Sequence, residues 1–236
     1  MHRAIVRSAL LIVIASVMLA TDAEAQWTRQ YDPVGQVRFR FGIFEPAGES
    51  SGWDRVFQGF TGRPGDLQDF SWGTDLLWRP GDFGGLLFGF GSYAGTTTTG
   101  YTDWVADDGG EIRHRTRLEI ADLTVAWVYH FGHGGVRPYA GAGGGFVWWK
   151  LSENGSFIDF DDPELAVFQA RYLADGTTFE ALALVGVDIP LTPAWRFFAE
   201  GRYRWADDDL ADDYPPDFGN LDLSGYEISG GFAIAF

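Results

Sequence analysis

From Tyr226 to Phe236 the chain alternates strictly: Tyr226, Ile228, Gly230, Phe232, Ile234 and Phe236 fall on one side, and Gly225, Glu227, Ser229, Gly231, Ala233 and Ala235 on the other. A period of two belongs to a β-strand, and a helix would mix the two sets. One face is apolar and the other small or polar. Trp195 to Trp205 repeats the arrangement, setting Trp195, Phe197, Ala199, Gly201, Tyr203 and Trp205 against Arg196, Phe198, Glu200, Arg202 and Arg204. Aromatic residues stand at both ends of this apolar face, as expected of a strand that crosses two membrane interfaces.

Six further segments read as strands: Gln36–Phe44, Gln68–Trp78, Gly85–Ala94, Thr116–Phe131, Arg137–Lys150 and Thr177–Ile189. The glycine-rich run within Arg137–Lys150 does not reveal which way its residues face. The connections alternate in length. "RPGDFG", "GHGGVR" and "PLTPA" are tight turns, whereas Glu45–Leu67, Gly95–Arg115, Leu151–Gly176 and Asp207–Leu223 are long and polar. Short turns on one rim and long segments on the other predict an eight-stranded antiparallel up-and-down transmembrane β-barrel, all-β, with periplasmic turns and extracellular loops.

The N-terminus carries Arg3 and Arg7, an apolar run from Ser8 to Ala20 and an A-x-A pair at Ala23 and Ala25. This predicts a signal peptide over residues 1–25 cut before Gln26, a periplasmic segment over 26–35 and a barrel over 36–236. Without cysteine, neither a lipid anchor at the new N-terminus nor a disulfide is available. Aromatic residues at 17%, 32 glycines and a single lysine, Lys150, depart from ordinary soluble composition. A soluble lipocalin-like barrel would turn those aromatics inward, which the outer faces argue against.

With these residues in view, "RPYAGAGGGFVWW", "FFAEGRYRWAD" and "SGYEISGGFAIAF" in an eight-strand layout resemble the outer-membrane β-barrel domain family, the small OmpA/OmpW-like barrels. The resemblance implies location in a Gram-negative outer membrane, contact with its lipid and lipopolysaccharide, and insertion by the outer-membrane assembly machinery. It further implies that Tyr226, Ile228, Phe232, Ile234 and Phe236 form the assembly signal. It carries no particular activity, since members range from structural proteins to binders, pores and a few enzymes. Unlike OmpA, this chain is expected to have no peptidoglycan-binding domain after its last strand, and a monomer is expected.

If the apolar faces meet lipid, the lumen receives Arg38, Arg40, Asp75, Asp122, Glu180, Glu200, Arg202, Arg204 and Glu227. Eight strands leave just enough room for side chains, so these mixed charges are expected to fill the interior as a hydrogen-bonded network. A narrow small-solute channel is the alternative. The long segments carry 21 acidic residues against five arginines, a balance equal to the whole chain's −16. Nucleic acid is excluded by that sign. Asp207, Asp208, Asp209, Asp212 and Asp213 are candidate divalent-cation ligands, without the spacing of a formal calcium loop, and no other cofactor is expected. Loop aromatics such as Trp53, Phe57, Trp104, Phe157, Phe160 and Tyr214 are expected to pack over the barrel mouth or meet a partner. His114 reads as a solvated loop histidine, and His130 and His133 lie at the short-turn rim, so no catalytic arrangement emerges and a lipid-modifying enzyme is the least favoured reading. The expected role is structural or surface binding through acidic, aromatic-rich loops.

Overall fold

The computed structural model describes residues 34–48, 50–80, 84–106, 109–131, 135–160, 162–210, 212–215 and 218–236. The expected signal peptide, its expected cleavage site and nearly all of the expected periplasmic segment lie outside them, as does His133. Eight strands form the barrel: β1 (Gly35–Pro46), β2 (Asp69–Trp78), β3 (Gly84–Val105), β4 (Glu111–His130), β5 (Arg137–Ile158), β6 (Val167–Pro190), β7 (Trp195–Trp205) and β10 (Gly225–Ala235). Each pairs antiparallel with its neighbour in sequence, and β1 pairs with β10 to close the ring. Two short strands, β8 (Asp207–Asp209) and β9 (Asn220–Asp222), form a separate ribbon.

The alternation read from the sequence becomes an inside and an outside. Phe41 on β1, Trp72 on β2, Phe88 on β3, Val125 on β4, Phe146 on β5, Val185 on β6, Trp195 on β7 and Phe232 on β10 all point outward and are exposed. A continuous belt of apolar side chains around a closed sheet cannot be balanced by water and calls for lipid. Inside, Leu77, Leu87, Ala126, Val128, Leu182 and Leu184 pack together on the short-turn side.

Two of the four long segments are not loops. The β3–β4 ladder continues through Thr96, Thr98 and Gly100 opposite Arg117, Arg115 and Arg113, and β5–β6 stays paired out to Ile158 opposite Val167. The expectation of polar loops over Gly95–Arg115 and Leu151–Gly176 is therefore corrected to two tall hairpins. The inner face stays buried here, with Ile112, Leu118 and Leu151 interleaved with His114, Thr116 and Glu153, while the outer face turns polar and exposed with Arg113, Arg115 and Arg117. A ladder needs only its hydrogen bonds and one buried face, so it persists after the lipid-facing hydrophobicity ends. With 24 residues, β6 far exceeds the roughly 10 that a tilted strand needs to cross a bilayer.

The other two long segments fold over the mouth. Ser50 caps the short helix α1 (Ser51–Val56), its hydroxyl accepting from the Trp53 amide at 3.4 Å. Trp53 is thereby turned inward, where its indole N–H donates to the Asp222 carbonyl at 2.6 Å. Leu67, at the end of a one-turn helix over Pro64–Leu67, is buried beneath, and its carbonyl accepts from the Tyr93 hydroxyl. Together with Phe44, Phe57, Trp149, Leu210, Tyr214, Leu221 and Leu223 these side chains make an apolar plug.

Candidate functional site

Beneath the plug, and level with the short-turn apolar cluster, lies a charged layer. Arg40, on β1, contacts Asp75 of β2 at 2.9 Å and Glu227 of β10 at 2.9 Å. Arg202, on β7, reaches the second oxygen of Asp75 at 2.9 Å and also bonds Glu200. Arg38 meets Glu200 at 3.4 Å and lies 3.9 Å over the Phe198 ring. Nearer the mouth, Arg204 pairs with Asp122 at 3.2 Å and Glu180 at 3.8 Å. All nine lumen charges named from the sequence are buried; six are joined through Asp75 and Glu200, and Arg204, Asp122 and Glu180 form a second set that shares a small cavity with Arg40 and Glu227.

Glycine makes the room. A Cβ on Gly73 would stand 2.5 Å from an Arg40 guanidinium nitrogen, and one on Gly91 would stand 2.5 Å from Asp122. The inward sides of β2 and β3 are thus cut away where the charges of β1 and β4 need space. What remains is a cavity of about 10 Å³ between Arg40, Asp122, Glu180, Arg204 and Glu227, about the room of one water.

The sequence list omitted several members of this interior. The Tyr139 hydroxyl donates to Glu200 at 2.8 Å and meets Arg38. Below it, His130 faces Asp188 at 3.3 Å, and Arg196 and Arg137 are buried on the same side. Parity would have found them: His130 shares the inward register of Asp122, Asp188 that of Glu180, and Arg196 that of Glu200.

His114 is not the solvated loop residue expected from its neighbours. Being on the inward face of an extended β4, it is 1% exposed. Its Nε2 lies 3.4 Å from both Glu153 and Thr99, and its ring sits between Phe60 at 4.1 Å and Phe157 at 5.1 Å. The Tyr214 hydroxyl donates to the other Glu153 oxygen at 2.8 Å, and burial, then the carboxylate, push its phenol well above the ordinary range.

The acidic segment Asp207–Asp213 serves as a fastening. Asp208 accepts from the Trp149 indole at 2.8 Å, Asp213 from the Leu173 amide at 2.9 Å and Asp212 from the Asp175 amide at 3.2 Å. Among the described residues no three acidic or histidine side chains converge as a metal site. Of the loop aromatics, Trp53, Phe57, Phe157 and Tyr214 are buried. Trp104 and Phe160 instead stand at the hairpin tips, 42% and 58% exposed, with ring centroids 6.0 Å apart. Val105 and Val167 are also exposed at these hairpin ends, and Asp103, Asp159 and Glu164 are exposed on the same segments.

Neither a family model nor a curated protein matches the chain. Among solved structures it is similar to the outer membrane protein OprG from Pseudomonas aeruginosa, at 14% identity and a TM-score of 0.51, over 87% of this chain and 96% of that one. It also aligns with the outer membrane protease OmpT from Escherichia coli at 9% identity and a TM-score of 0.49, over 90% and 99% of the two chains. Outer Membrane Protein W from E. coli aligns at 15% identity and a TM-score of 0.40, over 87% and 98%. At such identities the likeness to OprG shows the fold: an outer-membrane β-barrel.

Proposed function

We propose that this chain is an integral outer-membrane protein that acts by surface binding at the tips of its two tall hairpins, without catalysis and without conducting solutes. The observation that carries this reading is the exposed aromatic pair Trp104 and Phe160, held beyond a lumen filled by charge and plugged by apolar loops. Exposed apolar residues on segments that also expose Asp103, Asp159 and Glu164 suit a partner that is both cationic and apolar, because such a partner gains from desolvation and from charge complementarity together. The burial of His114 and of His130 supports a non-catalytic role, since a base must reach a substrate.

The refolded full chain, inserted in phosphatidylcholine vesicles, is titrated with amphipathic peptides of matched hydrophobicity and opposite charge. Basic peptides should bind and acidic ones should not, and Trp104→Ser with Phe160→Ser should weaken binding by about tenfold. Equal binding of both peptide sets, or indifference to the double substitution, overturns the reading.

A further inference from the structure

On a chain of net charge −16, one outer wall gathers positive charge. Arg113, Arg115 and Arg117 alternate along the outside of β4, and Arg171 stands exposed on β6. Arg115 is paired in register with Asn154, and Asn154 with Arg171. The two arginines therefore flank one asparagine across two strand spacings, about 10 Å. Arg113 is engaged by Glu111 and Arg117 by Glu119, whereas Arg115 and Arg171 have no side-chain partner among the described residues. Their row, Thr98–Arg115–Asn154–Arg171, and the next row down, Thr96–Arg117–Ser152–Leu173, contain no carboxylate.

Lower on the same wall, at Trp148, lies an open groove of about 460 Å³, lined on its outward side by the small Ser92, Ala94, Ala121 and Thr177 and along its upper edge by Glu119, Lys150 and Asp175. Immediately beneath, Phe90, Leu123, Phe146 and Phe179 form a lipid-facing row. Trp148 thus stands where an indole favours the membrane interface. Lys150, between Glu119 and Asp175 in register, forms with them the upper edge of the groove, next to the arginine rows. From Trp148 to Asn154 the strand climbs roughly 15 Å along the barrel axis, given its rise per residue and a tilt near 40°.

We propose that this wall binds the phosphorylated saccharide of an outer-leaflet glycolipid, with one phosphate between Arg115 and Arg171 over Asn154 and the saccharide descending to the groove beside Trp148. Guanidinium forks suit phosphate oxygens, and Asn154 and Ser152 supply neutral donors between them. The height decides the class of ligand: a phospholipid phosphate lies near the Trp148 level, whereas a phosphate carried on several sugars reaches the arginine row. The wall also continues the lipid-facing surface upward, so it faces the saccharide layer around the barrel. The inference rests on outer-membrane insertion, which is read separately as a protease-protected barrel in vesicles.

The refolded full chain is inserted in phosphatidylcholine vesicles containing lipopolysaccharide with a phosphorylated core, the same lipopolysaccharide with its core phosphates removed, or lipid A without core sugars. Retention of each glycolipid is measured after detergent extraction, with inorganic phosphate as a competitor. Wild type should retain the phosphorylated-core form about tenfold better than either other form. Arg115→Gln with Arg171→Gln should abolish the difference. Arg55→Gln with Arg63→Gln, which removes the same charge elsewhere on the extracellular side, should preserve it. Both double variants should keep the heat-modifiable gel migration of a closed barrel. Equal retention of lipid A, equal retention of the dephosphorylated core, an unaffected arginine double variant, or full displacement by millimolar inorganic phosphate would each overturn the proposal. A barrel that fails to insert refutes the outer-membrane reading instead.

Discussion

Asp75 illustrates what single residues do in this interior, because its two oxygens hold Arg40 and Arg202, both at 2.9 Å and all three side chains buried. Neutralising it strands two guanidinium groups, and breaking a buried pair costs about 3–5 kcal/mol even where the intact pair contributes little net stability. Asp75→Asn should therefore lower the free energy of urea unfolding of the vesicle-inserted barrel by an amount of that order. Arg115→Gln, which removes an exposed charge without a partner, should change it by no more than about 0.5 kcal/mol. An unchanged unfolding free energy in Asp75→Asn would mean that water already solvates the charged layer. His114 gives a second case. Its ring fills the space between Phe60 and Phe157 and touches Glu153 and Thr99, so His114→Ala should loosen the hairpin tips. Limited proteolysis should then cut near Tyr101 or Phe160 faster than in wild type, with the membrane-embedded barrel still protected. Equal cutting rates would detach His114 from the hairpin packing.

At the scale of elements, the number of strands, their order and the faces of β7 and β10 were legible in the sequence because aromatic residues mark the lipid side. The upward extension of β3 to β6 was not, because the signal followed was outward hydrophobicity, and that ends at Phe90, Leu123, Phe146 and Phe179. The inward register continues past it through Leu118, Thr116, His114 and Ile112, so following the inner face alone would have found the hairpins and the burial of His114. The glycine-rich β5 resisted reading for a related reason: Gly141, Gly143 and Gly145 are inward and Gly144 outward, and no side chain announces it. The Asp75 and Tyr139 contacts were illegible in kind, since parity puts a residue inside without saying which partner it meets. The belt itself can be tested on β4. Val125 lies between Leu123 and Trp127 on the outer face, and arginine near the bilayer midplane costs about 2–4 kcal/mol. Val125→Arg should reduce folding stability in vesicles by that order, whereas the same change at the neighbouring inward Thr124 should respond to space and charge in the lumen. A neutral Val125→Arg would move this row out of the hydrocarbon.

The whole molecule is closed twice, and the two closures are physically different. The lower one is ionic, from Arg38 to Arg204, and leaves about 10 Å³. The upper one is apolar, built from α1, the β8–β9 ribbon and the rings packed against Trp149 and Tyr214. Ions pass only where both open, so single-site opening should not make a pore. Planar-bilayer recordings of the refolded chain should show no stable steps for wild type. Replacing residues 207–223 by a tight turn removes Leu210, Tyr214, Leu221 and Leu223 from the plug, yet the charged layer beneath still blocks the lumen. Arg40→Ser with Arg202→Ser thins that layer, yet the plug above still covers it. Only the combination should conduct, provided its gel migration shows a closed barrel. Steps in wild type would restore the small-solute channel as the first reading. Steps in either variant alone would mean that one closure carries no barrier, and the lumen would then have to be described as a single gate.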